Sequence, residues 1–591
     1  MGRLLITNNN NWNNKLKSVN KNIGLIESNS AEFNGVALTV YKKIKIDNCN
    51  YYEEDNGMVM CSGTFFYKGM FGKEALKKIL QDSINTDICE MRKFLLGSYV
   101  ILIKRDNHIK IFIDETQTYA FYYYQMGGFY ILTNLYIQIA AVTQTSINED
   151  AFLERLIRTA TLNNCTPFNY IYKVCSNQCV DINLISGMMD VKEIQVNRYD
   201  YSFNTAQEAL ELLYDRIHKI TLLRNSHIHS YLHFYTGGVD SRLELAFSLQ
   251  NNNSVKLGYW MGNDCITNGT SGDLKVIEES AKQLKLPFEV YDVSENYVDC
   301  IKNITIEKCM KYGEYTSIYA SNPKWIAIFE NLDKGIECLV FGFFGEIFRP
   351  ISELDKSYKN NYKMIDFITD VYCRTGIEKE IFFLEGFYEY LLDECKNIVN
   401  KTEIISKKDA FDIFTFSRYS ADCVRNNFAN IFTYSFPILS QKEIKDINYK
   451  INYDWRTGDF FSLQLTKLFN DNLLKIPYFT HHHHVNYNSK KGILEETNLT
   501  KYKDVVKEKI KDTELMSLYH KFFQKYLHPN TLKNQQIFDF SLDYINSSKL
   551  IGESKISVQD IPKWNNIEIP TLATAVAEIK IAETINNESY R

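Results

Sequence analysis

Residues 229–250 read HSYLHFYTGGVDSRLELAFSLQ and contain the segment that decides the fold. An extended run ends at Tyr235, a glycine pair follows at Gly237–Gly238, and a helical pattern begins at Ser241. Strand, glycine turn and helix in this order are typical of a parallel sheet. In open sheets of that kind ligands bind at the carboxyl ends of the strands, so the turn is the first candidate for a binding site.

The same alternation continues along the chain. Asn204–Thr205 can cap a helix over 206–223, and Val255–Trp260 has the composition of a strand. A helical pattern over Asp273–Lys285 then precedes a further strand over Phe288–Val293. Strands that alternate with helices predict an α/β domain with a doubly wound parallel sheet.

One feature opposes this prediction. The run 227–235 alternates His and Tyr with apolar residues, whereas we expect a central buried strand to be more uniformly apolar.

The first 195 residues are β-rich. Leu95–Ile113 contains two β-branched segments around a polar turn at 105–107, and a second pair of strands flanks 126–128. Within 73–84 one helical face is formed by Leu76, Ile79, Leu80 and Ile84. This mixture predicts an α+β sandwich.

Composition limits the function classes. Of the 591 residues 45% are hydrophobic and 24% are charged, as in globular proteins, which excludes a disordered or fibrous chain. The formal net charge of −5 gives no electrostatic reason for a nucleic-acid or membrane partner. The 13 cysteines form no CxxC pair, and neither a signal sequence nor a membrane-spanning stretch is visible. These observations predict a cytoplasmic protein with reduced thiols.

The glycine turn has the residue types of a phosphate site. Two glycines let the backbone approach a ligand, and their N–H groups together with the helix N-terminus attract anions. Thr236 and Ser241 add hydroxyl groups, and Asp240 can hold Mg²⁺. The alternative is an ordinary strand–turn–helix junction. The candidate nucleotide-binding segment, called the 236–241 loop below, consists of Thr236, Gly237, Gly238, Val239, Asp240 and Ser241.

At these residues the chain resembles the asparagine synthetase family, which includes β-lactam synthetases and lasso peptide cyclases. TGGVDS resembles the family's pyrophosphatase loop, and residues 95–135 resemble its N-terminal glutaminase-like domain. Further stretches similar to the family's motifs follow in the family's order at Ser271–Val293, Leu339–Arg349, Thr433–Ile444 and Asn488–Gly492.

The resemblance implies two regions. Residues 1–195 would form a degenerate glutaminase-like (Ntn) α+β sandwich. Residues 196–500 would form an ATP pyrophosphatase domain, with a doubly wound parallel sheet and extra helices. Residues 501–591 lie outside the resemblance, and their charged helical pattern predicts a C-terminal helical extension.

The resemblance also implies a reaction. ATP with Mg²⁺ would activate a carboxylate as an acyl-adenylate, and an amine would then attack and release AMP. The 236–241 loop would hold the pyrophosphate, Asp240 would carry Mg²⁺, and Lys490 would be the lysine that stabilises the developing charge. The alternative for Lys490 is a solvated side chain.

Two departures from the family refine the prediction. Gly345 stands where the family has an aspartate, so either the adjacent Glu346 replaces it as the second metal ligand and a catalytic residue, or the metal site is altered. Gly2 stands where glutamine-using members have their nucleophilic cysteine, so we expect no ammonia release from glutamine. The nitrogen must then come from a substrate amine or from free ammonia.

The predicted function is therefore an ATP-dependent amide-forming ligase, which closes a macrolactam or β-lactam ring within a peptide or specialised metabolite. Such a substrate could involve a precursor peptide and a protease as partners. Two alternatives remain open, an ammonia-dependent asparagine synthetase and a non-catalytic nucleotide-binding scaffold. Arg242, next to the loop, is predicted either to bind a substrate carboxylate or phosphate or to form a surface salt bridge.

Overall fold

A computed structural model shows a mixed α/β protein with several sheets. The structure describes residues 2–261, 272–292, 323–349, 387–398, 424–480 and 483–496, with gaps at 55–56, 159–160, 162–163 and 198, and also 310, 362–363, 404–405, 544, 576, 578–580 and 582–583.

The N-terminal region contains two antiparallel sheets. The first has the order β11-β9-β10-β1-β3-β2, with β1 (Arg3–Thr7), β2 (Glu27–Phe33), β3 (Val36–Tyr41), β9 (Tyr122–Met126), β10 (Phe129–Thr133) and β11 (Ile171–Lys173). The second has the order β13-β12-β8-β7-β5-β4, with β4 (Tyr51–Glu54), β5 (Gly57–Tyr67), β6 (Met70–Phe71) paired to β5, β7 (Leu95–Arg105), β8 (His108–Ile113), β12 (Gln178–Asn183) and β13 (Met189–Glu193).

Among the described residues, five helices accompany these two sheets. They are α1 (Asn10–Asn22), α2 (Gly72–Asp82), α3 (Ile88–Arg92), α4 (Tyr136–Thr143) and α5 (Glu149–Arg158). Side chains such as Leu4, Met60 and Val100 fill the space between the sheets, and α2 packs on the second sheet. Both predicted hairpins are confirmed. The predicted helical face is wrong at Ile84, which lies beyond the end of α2 and is exposed.

A parallel sheet follows in the order β16-β15-β14-β17. Its strands are β14 (Ser230–Phe234), β15 (Ser254–Met261), β16 (Phe288–Asp292) and β17 (Cys338–Val340), and its helices are α6 (Ala206–His227), α7 (Val239–Ser248), α8 (Gly272–Leu284) and α9 (Pro323–Glu330). The predicted strands, their parallel pairing and the Thr205 cap of α6 are confirmed.

Tyr231 and His233 of β14 are buried, so the expectation of a uniformly apolar central strand is wrong. His233 is fully buried, and its Nε2 lies 2.9 Å from the Ser241 carbonyl oxygen. The Tyr231 hydroxyl donates to the Ile228 carbonyl oxygen at 2.7 Å. Hydrogen bonds of this kind offset the cost of burying polar groups.

Further elements complete the described part of the chain. They are α10 (Phe387–Ile398), α11 (Val424–Phe432), α12 (Lys442–Lys450), α13 (Phe460–Asn470), the pair β18 (Tyr362–Lys363) and β19 (Ile404–Ile405), and the antiparallel sheet of β20 (Tyr478–Thr480), β21 (His483–Asn488) and β22 (Ile493–Glu496). Among the helices that the structure describes, none is long and apolar enough to cross a bilayer.

Most of the predicted C-terminal extension lies outside the described residues. Glu578 belongs to its described helical residues and is buried against the N-terminal region. The Tyr136 hydroxyl donates to Glu578 at 2.6 Å, and Arg155 lies 3.4 Å from the same carboxylate. This part of the extension therefore packs on α4 and α5.

Candidate functional site

The 236–241 loop lies at the point where the strand order reverses. β15 flanks β14 on one side and β17 flanks it on the other, so the segments that follow β14 and β17 leave the same edge of the sheet. Crevices at such reversals are the usual binding sites of open parallel sheets. The segment after β17, residues 341–349, carries Glu346 within the 3-10 helix Gly345–Phe348.

The two segments are in direct contact through glycines. A Cβ atom at Gly342 would lie 2.7 Å from the Ser241 backbone nitrogen. A Cβ atom at Gly345 would lie 2.5 Å from Oδ1 of Asp240. The position at which the sequence departs from the family's aspartate is therefore filled by the Asp240 carboxylate, and a side chain at 345 does not fit this backbone.

Charged groups surround Asp240. Arg349 donates to its Oδ2 and also lies 3.6 Å from Asp459. Burial raises the pKa of Asp240 well above its ordinary value, and the neighbouring Glu346 and Asp459 carboxylates raise it further, while Arg349 opposes the shift. Oδ1 of Asp240 is buried and has no hydrogen-bond partner within the described residues.

This environment suits a divalent cation. A buried carboxylate oxygen without a partner, beside two further carboxylates, is a position where Mg²⁺ would replace missing hydrogen bonds. No group of three His, Cys, Asp or Glu side chains converges to hold a metal by itself in the described part of the chain. Mg²⁺ usually takes one or two carboxylates and completes its shell with water and phosphate oxygens. Asp240 and Glu346 fit that requirement.

The outer part of the loop, which consists of Thr236 and residues 238–241, has the features of an anion site. Gly238 caps α7 without a side chain, so the first-turn N–H groups of this helix receive no cap hydrogen bond from it. The Thr236 and Ser241 hydroxyls are 2.9 Å apart, and Thr236 is exposed. Val239 is buried in the core next to the loop and anchors the helix start.

The inner part of the loop, Gly237, is closed because both of its backbone groups are hydrogen-bonded. The Gly237 N–H donates to the Asp273 carboxylate at 2.6 Å, and the Gly237 carbonyl accepts from the Phe479 N–H at 2.9 Å. Gly237 itself is buried. Gly237 is thus occupied at both of its backbone groups, whereas Thr236 is exposed and Gly238 is partly exposed.

Neither predicted role of Arg242 is correct. The side chain is fully buried, donates to the carbonyl oxygens of Leu473, Ile476 and Pro477 at 2.6–2.9 Å, and stacks 3.5 Å from the Tyr478 ring. These contacts fix the chain that enters β20, and so they place Phe479 over the loop.

Lys490 lies in the exposed turn between β21 and β22. Its backbone N–H donates to Asn488 Oδ1 at 3.0 Å, whereas its ammonium group contacts none of the described residues of the 236–241 loop. The structure therefore brings together Asp240 and Glu346 but not Lys490. Its catalytic role stays a prediction.

The N-terminal region has no room for a nucleophile at position 2. A Cβ atom at Gly2 would lie 2.4 Å from the Lys42 carbonyl oxygen. Close to Gly2, the ammonium group of Lys43 is buried and donates to Asn430 and Thr433, which lie at the end of α11 and directly after it. Burial lowers the pKa of Lys43 to about 7.

Sequence reasoning missed four residues of the site, namely Asp273, Arg349, Asp459 and Phe479. Arg349 is the last residue of the motif-like stretch Leu339–Arg349. A basic residue so close to Glu346 in the sequence was a signal that it could pair with a carboxylate of the site. Asp459 and Phe479 lie outside every quoted motif, and only the fold brings them to the 236–241 loop.

Comparison with known proteins gives weak likenesses. No family model matches the chain, and no curated protein matches it. Glutamine phosphoribosylpyrophosphate amidotransferase from B. subtilis, complexed with ADP and GMP, is 10% identical over 50% of this chain and 67% of its own, with a TM-score of 0.24. A structure of the allosteric regulatory enzyme of purine biosynthesis is 11% identical over 37% of this chain and 58% of its own, with a TM-score of 0.23.

Proposed function

We propose that the protein is an ATP-dependent ligase that adenylates a substrate carboxylate and joins it to an amine. The observation that supports this most strongly is the position of Asp240. Its buried, unpartnered oxygen lies at the start of α7, beside Glu346, where the strand order of the parallel sheet reverses.

The chain's own residues have separate tasks in this proposal. The N–H groups at the start of α7 and the Thr236 hydroxyl bind the β- and γ-phosphates. Asp240 and Glu346 would hold Mg²⁺, which supplies positive charge to the leaving pyrophosphate. Arg349 orients the Asp240 carboxylate through its contact with Oδ2.

The proposed reaction consists of two steps, adenylation of the carboxylate and formation of the amide. A carboxylate oxygen of the substrate attacks the α-phosphorus of ATP, and the bond to pyrophosphate breaks. The amine nitrogen then attacks the acyl carbon, loses a proton and expels AMP. Binding both groups side by side contributes to the rate because the second step becomes effectively unimolecular.

The nitrogen source in this proposal is an amine of the substrate. At position 2 a cysteine side chain would collide with the Lys42 carbonyl oxygen, which supports a sandwich without glutaminase activity. An intramolecular amide in a peptide or specialised metabolite fits that requirement, whereas free ammonia with aspartate is the alternative nitrogen source for a protein without glutaminase activity.

A nucleotide-binding scaffold without turnover is the second candidate. It is favoured by the closed inner part of the loop, where Asp273 and Phe479 occupy both backbone groups of Gly237.

The test is to incubate the full chain with Mg²⁺, ATP and panels of amino-carboxylates and peptides, aspartate with ammonia included. The proposal predicts equal amounts of AMP, pyrophosphate and amide, all formed about 10²–10³-fold more slowly in Asp240→Asn. ADP and phosphate as products would contradict it. ATP binding with no release of AMP under any condition would favour the scaffold.

A further inference from the structure

The inner part of the 236–241 loop holds an anion that belongs to the chain itself. The N–H of Gly237 points to Oδ1 of Asp273 at 2.6 Å, a short hydrogen bond to an acidic side chain. Asp273 lies in the first turn of α8 and comes from a different crossover unit than the loop.

The packing around this contact requires two glycines. A Cβ atom at Gly272 would lie 2.0–2.5 Å from ring atoms of Phe479, and one at Gly237 would lie 2.7 Å from Cβ of Phe479. The Phe479 N–H also donates to the Gly237 carbonyl at 2.9 Å. The start of α8, the loop and β20 therefore interlock, with the carboxylate of Asp273 between them.

The chemistry of this position is that of a phosphate oxygen. Backbone N–H groups in a glycine turn beside a helix N-terminus attract anions. A buried N–H needs a partner in every state of the protein, and without a ligand Asp273 is that partner.

We propose that the Asp273 carboxylate occupies the place of a ligand phosphate, so that the loop selects polyanionic ligands able to displace it. This inference rests on the proposed function, because it concerns the same loop. The ligand can bind only to the fraction of molecules in which Asp273 has left the Gly237 N–H. Its apparent dissociation constant is therefore the intrinsic constant divided by that fraction. Inorganic pyrophosphate with Mg²⁺ has more acceptor oxygens than a single phosphate, so it should compete with the Asp273 carboxylate more effectively.

The experiment measures binding of Mg²⁺–pyrophosphate and of inorganic phosphate by calorimetry to four full-length proteins. These are the wild type, Asp273→Ala, Asp273→Asn and Glu278→Ala. Glu278 is exposed on the same helix, so its variant removes the same charge without touching the loop. Asp273→Asn keeps an acceptor for the Gly237 N–H, which makes it the variant of choice if Asp273→Ala does not fold.

We expect Asp273→Ala to bind pyrophosphate at least about tenfold more tightly than the wild type, since one hydrogen bond to a charged group no longer competes. Asp273→Asn should show a smaller gain, and Glu278→Ala none. Inorganic phosphate should bind measurably only to Asp273→Ala.

Weaker or unchanged pyrophosphate binding in both Asp273 variants would overturn the inference and make Asp273 a supporting residue of the site. The absence of binding in all four proteins would overturn it as well, since the opened loop would then accept no phosphate. The proposed function fails by a different result, namely ADP and phosphate as products of ATP, or AMP formation that does not change in Asp240→Asn.

Discussion

Two glycines occupy chemically decisive positions in the two regions of the molecule, and their surroundings differ. Gly2 in the N-terminal sandwich faces the backbone oxygen of Lys42, and the nearby ionisable group is the buried Lys43. Gly345 in the parallel-sheet region faces the carboxylate of Asp240, with Glu346 and Arg349 beside it. Backbone atoms enclose the first glycine, whereas carboxylates and a guanidinium group surround the second.

The comparison indicates that the sandwich serves the second region as a support. Lys43 donates to Asn430 at 2.8 and 3.0 Å, and Thr64 of β5 donates to the same side chain at 2.6 Å. A few residues later Tyr434 accepts from the Leu339 N–H of β17 at 3.0 Å. The sandwich is thus linked through residues 430–434 to the strand that leads into Glu346.

The largest effect is expected for Asp240→Asn, because it removes the carboxylate charge while preserving size. Loss of a group that stabilises transition-state charge typically lowers turnover by about 10²–10³-fold. Release of pyrophosphate from ATP measures the effect, with Asp106→Asn in the exposed β7–β8 turn as the matched control. Equal rates in the Asp240 variant and the wild type would refute the role of this carboxylate.

The variant Lys43→Met tests the role of Lys43 in the N-terminal region through the pH dependence of the free energy of unfolding. The pKa of Lys43 is about 7 in the folded protein and about 10.4 when unfolded. Between these values the unfolded chain binds more protons, so the free energy of unfolding of the wild type rises with pH by up to roughly 1.4 kcal/mol per unit. Below about pH 7 Lys43 is protonated in both states, so its titration no longer changes the free energy of unfolding with pH.

The variant lacks that titration. Thermal unfolding of both proteins from pH 7 to pH 10 should therefore show the wild type gaining stability relative to Lys43→Met. A constant difference across the range would show that the pKa of Lys43 is not lowered in the folded protein.

Gly2→Ala and Gly345→Ala sharpen the comparison directly. Each adds a Cβ atom within 2.4–2.5 Å of other atoms, and we expect each to lower the free energy of unfolding by about 1–3 kcal/mol. Only Gly345→Ala should also weaken Mg²⁺-dependent ATP binding, since only it displaces Asp240. Calorimetry that finds the same loss of ATP affinity in both variants would break the distinction.

Tyr136→Phe is expected to have the smallest effect. It removes a hydroxyl that donates to Glu578 and accepts from Arg155 at 2.8 Å, at a cost of about 1–2 kcal/mol. Thermal unfolding should show this loss while ATP affinity stays unchanged. A change in ATP affinity would indicate that the packing of the C-terminal extension acts on the site.

Local patterns predicted the elements well. The hairpin β7–β8 follows from β-branched alternation around a polar turn, and the units around β14 follow from glycine turns and helical spacing. These signals lie within a few residues of one another, so one sequence is enough to detect them.

The failures concern partners that are distant in sequence. Arg242 was expected to bind a ligand or solvent-exposed acid, but its acceptors are the carbonyl oxygens of Leu473 and Pro477, more than 200 residues later. The contact of Asp273 with Gly237 joins two crossover units and has no local signature. The fold of the backbone decides such pairs, and no periodicity encodes them.

The most direct test of the central claim is a crystal structure of the full chain with Mg²⁺ and a non-hydrolysable ATP analogue. The β- and γ-phosphates should lie at the start of α7, between the 236–241 loop and Glu346, with the metal on Asp240. A nucleotide bound at another surface, with Asp240 still held only by Arg349, would contradict the assignment of this loop.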